Sequence, residues 1–112
     1  MNAAERRAFL ETLSDFTLYE VFHEAGIQLG GTLVALEDKA EAEHDIKAFH
    51  RWRTEHLDMR RDRNEVDPAD RKSQISFIEH WNDRRKELDR LPYTAPDPTS
   101  QDGAGNESEG KE

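Results

Sequence analysis

Residues 32–63 read TLVALEDKAEAEHDIKAFHRWRTEHLDMRRDR, and the spacing of their apolar side chains decides the fold. Leu33, Leu36 and Ala40 recur at helical spacing along one side. Ala42, Ile46, Phe49, Arg53 and Leu57 recur along another, with one arginine interrupting the stripe. At about 100° per residue the two stripes point roughly 150° apart. One continuous helix with two apolar faces has to pack on two partners, a neighbouring helix and a second chain or client protein. The alternative is a kink near residues 40–44, where the stripe changes sides.

Thr32 is placed to cap this segment. Glu37 and Asp38 fall early in it and Arg60, Arg61 and Arg63 late, as the helix dipole favours. Unbroken, it would be roughly 48 Å long. Upstream, Phe9, Leu10, Leu13 and Phe16 predict a helix from about Ala3 that reaches Ala25, with a break near Ser14–Thr17. Thr17 and Glu20 have capping-box spacing, and Phe16 and Val21 sit where a hydrophobic staple would be. Gly26 reads as the residue that ends this helix, and Ile27–Gly31 as a turn, because Gly30 and Gly31 weaken a helix. Downstream, Asp67 and Pro68 read as N-cap and first position of a helix that runs to Leu91 and stops at Pro92. Phe77, Ile78, Trp81, Leu88 and Leu91 share one of its faces.

The expected fold is therefore all-α: a helical hairpin or three-helix bundle with a long central helix. Residues 1–91 form the helical domain. Residues 92–112 gather three of the four prolines and are otherwise rich in Gly, Ser, Asp and Glu. That composition predicts a disordered acidic tail. The chain has 112 residues, of which 34% are hydrophobic and 37% charged, so its core is thin and association would help it.

Charge and composition narrow the function. The net charge is −9, divided as −6 over residues 1–50, +1 over 51–91 and −4 over 92–112. Phosphate repels such a chain unless a basic patch is segregated on one face. There is no cysteine, which excludes disulfides and thiolate metal sites. The longest uncharged run, Ala25–Leu36, is shorter than the roughly 20 residues a membrane span needs. The N-terminus lacks the apolar core of a signal peptide. A cytoplasmic, membrane-free protein is expected.

Candidate chemistry is sparse. Glu20/His23 and Glu41/His44 have the i,i+3 spacing of di-metal helical bundles. They stand at different heights, however, so solvated polar faces are expected and no metal or other cofactor. His44, His50 and His56 recur every six residues and spiral around the helix, a poor ligand geometry. Glu24–Ile27 has the spacing of a helix-turn-helix turn. Phe22 is too large for the helix contact of that motif, and Glu37, Asp38, Glu41 and Glu43 make the following helix acidic. No catalytic constellation is present.

Two sets of residues remain. Ile46, Phe49, Trp52, Leu57, Phe77 and Trp81 are candidates for an interface, with both tryptophans better suited to the core between the second and third helices. Ile46, Phe49 and Leu57 are expected to be buried by the third helix or by a second chain. Arg53, Arg60, Arg61, Arg63, Arg84 and Arg85 would carry a nucleic-acid surface. Glu55, Asp58 and Asp62 are spaced to pair with several of them, which favours a salt-bridged solvated face instead. The expected function is non-enzymatic: a small protein-interaction or regulatory protein of the adaptor, inhibitor or antitoxin-like kind. Its partner is a protein, and a homodimer is expected; nucleic acid is the competing class.

Overall fold

The computed structural model describes residues 1–91, and the expected tail from Pro92 lies outside them. It is all-α, with helices α1 (Ala3–Thr12), α2 (Asp15–Ala42), α3 (Ile46–Glu65) and α4 (Arg71–Asp89), and no strand among the described residues. The molecule is an elongated slab of 51 × 29 × 17 Å. At a helix diameter of about 10 Å it is only one to two helices deep. Helix α2 is its spine: α3 and α4 both pack on it and converge at Gly26, and α1 lies against α4.

The stripe changes sides because the helix ends there. Three residues, Glu43, His44 and Asp45, turn the chain back on itself. Asp45 N–H donates to the Ala40 carbonyl at 2.8 Å and His44 N–H to the Glu41 carbonyl at 3.1 Å. These are the two bonds of a Schellman C-cap. Its left-handed position is held by His44, at φ 56°, where glycine usually sits. The Asp45 side chain then accepts from Ala48 N–H at 3.0 Å and starts α3. Neither a continuous helix from Thr32 to Arg63 nor a kinked one is formed: the helix ends at the position of the expected kink, and the chain folds back into a hairpin.

The glycines do the opposite of what local propensity predicts. Helix α2 continues through Gly26, Gly30 and Gly31 to Ala42, so Gly26 is no helix end and Thr32 no cap. Gly26 and Gly30 are buried. A Cβ at Gly26 would lie 3.0 Å from Arg63 Cδ, 3.3 Å from Met59 Sδ and 3.3 Å from the Trp81 ring. One at Gly30 would lie 3.2 Å from Met59 Cε. Their missing side chains let α3 and the α4 indole approach the spine, and tertiary packing overrides the roughly 1 kcal/mol helix cost of each glycine. Gly31 faces open space.

Leu18, Phe22, Leu29 and Leu33 of α2 form the core with Met59 of α3 and with Ile75, Ile78, Trp81 and Leu88 of α4. The Trp81 ring stacks with Phe22 at 5.2 Å and with Phe77 at 5.0 Å between centroids. The remaining junctions are polar. Ser14, not Thr17, caps α2, accepting from Thr17 N–H at 3.2 Å. Asp70, not Asp67, caps α4, accepting from Ser73 N–H at 3.1 Å and from Ser73 Oγ at 2.7 Å. Asp67 instead closes a turn by accepting from Ala69 N–H at 2.8 Å. The buried Gln74 amide donates to the Pro68 carbonyl at 2.8 Å and to that of Asp67 at 3.2 Å, fastening this turn. Arg71 donates to Asp15 and to the Glu11 and Leu13 carbonyls, which ties the α1–α2 corner to the start of α4.

Two kinds of substitution test this packing in urea unfolding. Gly31→Ala should raise stability by about 1 kcal/mol, since it gains helix propensity in open space. Gly26→Leu should lower it by about 1–3 kcal/mol through overpacking. Equal effects would contradict the close approach. His44→Gly should add about 0.5–1 kcal/mol, the relief of a left-handed residue less the extra chain entropy of glycine. A loss of stability would show that the His44 side chain holds the turn.

Candidate interaction surface

On α2, Leu18, Phe22, Ala25 and Leu29 belong to the buried flank nearer α4, while Gly26, Gly30 and Glu37 meet α3. On α3, Ala48, Trp52 and Met59 turn inward, as does Val66 just after it, and Glu55 reaches across to Arg84 of α4 at 2.7 and 2.9 Å. Among the described residues no helix covers the side of the α2–α3 hairpin away from α4. At about 100° per residue, Ile27, Val34, Asp38 and Glu41 of α2 point to that side. So do Ile46, Phe49, Arg53, Leu57 and Arg60 of α3, which is the second stripe of the sequence.

Their exposure agrees. Ile27 is 55%, Val34 40%, Ile46 69% and Leu57 46% exposed, and Phe49 is half-buried. Ile46 and Leu57 are therefore not covered by the helix that follows, as one branch of the sequence reading required. Phe49 and Ile46 line a shallow cavity of about 320 Å³ at the hairpin end, with Ala40, Glu41 and His50. Single exposed apolar residues are ordinary, but a contiguous run of them marks a contact surface.

Beneath this face lies one buried charge. Glu37 is 4% exposed and accepts from Arg53 at 3.4 Å while its other oxygen stands 2.9 Å from His56 Nδ1. Burying a carboxylate is costly unless it is paired. The pairing links α2 to α3 and orients Arg53 along the seam. The composition of the seam is ordered by helix: α2 contributes acids and α3 arginines.

The other expected interface residues divide differently. Trp81 is 2% exposed and belongs to the core, and Phe77 packs beside it. Trp52 is half-buried, with the Arg51 guanidinium 4.7 Å over its ring. The six arginines of the nucleic-acid alternative are not gathered into one patch. Arg61 pairs with Asp58 and Asp62, and Arg84 with Glu55 and Glu87. Arg63 is half-buried against Gly26, and Arg85 lines a cleft between α1 and α4 with Arg6, Arg7, Glu79 and Lys86. Arg53 and Arg60 alone share the open face.

No group of three or more His, Asp or Glu side chains among the described residues is arranged to hold a metal ion. Glu41 and His44 lose their shared helical face, because His44 lies in the turn after α2. No helix among the described residues is long and apolar enough to cross a membrane. Comparisons with protein-family models, with curated proteins and with solved structures yield no match.

His23 reports on the far end of the α2–α3 seam. Its Nε2 is buried without a hydrogen-bond partner, its ring lies 4.6 Å from that of Tyr19, and burial, then the Arg63 charge, hold its pKa below the ordinary imidazole value. The folded state then binds fewer protons here than the unfolded chain, so stability falls as pH drops through about 6.5. His23→Gln should remove part of the loss of Tm seen between pH 7.5 and pH 5.5. An unchanged pH dependence would show that His23 is not the group responsible.

Proposed function

We propose that this chain is a non-enzymatic protein-interaction or regulatory module that binds a protein partner through the open face of the α2–α3 hairpin. Self-association belongs to the same reading, as does an adaptor, inhibitor or antitoxin-like role. One observation carries the proposal: four exposed apolar side chains, Ile27, Val34, Ile46 and Leu57, lie with the half-buried Phe49 on one side of two packed helices, and no other described residue covers that side. The flanking charges suit a protein better than a nucleic acid. Apolar centres rimmed by charge are the usual anatomy of protein interfaces. On this chain the arginines of that rim stand beside Asp38 and Glu41, which repel phosphate.

The slab shape supports the reading. A domain one to two helices deep leaves one side of its spine open among the described residues. Val34 and Leu57 are exposed, so replacing them with aspartate leaves the described core intact.

Immobilised chain exposed to lysate of its native host should retain a protein, itself or another. The double variant Val34→Asp, Leu57→Asp should reduce that retention at least tenfold while its helical circular dichroism is unchanged. Retention that is insensitive to the substitutions would overturn the proposal.

A further inference from the structure

The open face carries its own complement, and we infer that its occupant is a second copy of this chain, docked about a two-fold axis parallel to the α2–α3 hairpin. The inference rests on the interaction reading above and names the partner. The acids of the face, Asp38 and Glu41, lie on α2, and its bases, Arg53 and Arg60, lie on α3. Turning a copy by 180° about an axis along the hairpin lays α2 of each protomer over α3 of the other. Asp38 then meets Arg53 of the other copy on both sides of the axis, while Glu41 and Arg60 lie towards opposite ends of the face. A two-fold perpendicular to the helices would instead lay α2 on α2 and acid on acid, which is destabilising. The interface is isologous, as two-fold dimers require.

Heights along the hairpin fix the register. Within one protomer Gly30 stands opposite Met59 and His56, and Glu37 opposite Arg53 and His56. Ala40 and Ala48 close the same end. The axis preserves height, so these intramolecular levels also become the intermolecular ones. Asp38 of one protomer meets Arg53 of the second copy, and Val34 meets Leu57 of the second copy. The four helices α2, α3 and their copies form a bundle in which each helix runs antiparallel to its neighbours. Over about 20 residues per helix the face measures roughly 30 × 20 Å in projection. That is of the order of the about 800 Å² per partner found in stable interfaces.

The chain is free of cysteine, so introduced thiols report contacts without background. Light scattering on a sizing column should give twice 13.0 kDa for the wild-type chain, and 13.0 kDa for Val34→Asp, Leu57→Asp. Separate chains carrying Val34→Cys and Leu57→Cys, mixed and oxidised, should form a covalent heterodimer. Either variant oxidised alone should stay largely uncrosslinked. A wild-type monomer overturns the second copy as occupant, even if the Val34/Leu57 substitutions still abolish retention of another host protein. Ready crosslinking of Val34→Cys alone overturns the proposed axis, because it places α2 on α2. A dimer whose mass is unaffected by Val34→Asp, Leu57→Asp shows that the copies associate elsewhere and overturns both the axis and the face.

Discussion

The structure depends on how closely two helices approach the spine at Gly26 and Gly30. At Gly26 the space that a side chain would fill is taken by Arg63, Met59 and Trp81, which brings α3 and α4 to one position on α2. Met59 enters between α2 and α3 because it meets glycine instead of a Cβ, and its unbranched thioether suits such an irregular gap. Trp81 reaches Phe22 and stacks on it for the same reason. The glycines weaken α2 locally and are offset by the apolar surface they allow to be buried. At about 25 cal/mol per Å², burying a residue such as Phe22 or Leu18 contributes about 1.5–3 kcal/mol, more than a glycine costs.

The same geometry leaves the open face. Helix α4 occupies one flank of the spine and is bound to α3 through the Arg84–Glu55 pair. Helix α1 adds to α4 and is fastened there by Arg7 to Glu79, whose carboxylate is held below its usual pKa by the arginine. Nothing among the described residues turns back over the other flank. The buried Glu37 lies at the edge of that flank, with His56 and Arg53 as its partners. An interaction surface with a charged link beneath its apolar rim has a fixed shape, because breaking the link would strand a buried carboxylate.

Much of this was legible in the sequence, and the failures have identifiable causes. The change of stripe at residues 40–44 located the hairpin turn, since amphipathicity records which way each segment faces. It did not show that the helix stops, because the C′ residue is His44 where glycine would have announced the turn. Gly26 and Gly30 drew the opposite error: they read as a turn because sequence alone cannot distinguish a glycine that bends a chain from one that admits a neighbour. The Asp67–Pro68 pair was read as the helix start, and the Ser73 bonds show Asp70 to be the cap. Of the expected interface residues, Ile46 and Leu57 were recognised as a separate face. For Trp81 the sequence favoured the core over a surface role, and its stacking on Phe22 and Phe77 places it there. Val34 and Ile27 were missed, because in a segment read as turn and helix start they had no assigned face.

The fold-back at Glu43–Asp45 creates both the hairpin and its open face. Spin labels on cysteines introduced at the exposed positions Gln28 and Asp58 would measure it by pulsed electron resonance, with labelled chain diluted in unlabelled chain to remove signals between molecules. Helices packed 8–10 Å apart, with outward-pointing labels, should give a separation below about 25 Å. A continuous helix across residues 28–58 would give about 45 Å, at 1.5 Å per residue. That longer distance would show the two stripes to be faces of one rod and would remove both the hairpin and the open face built on it.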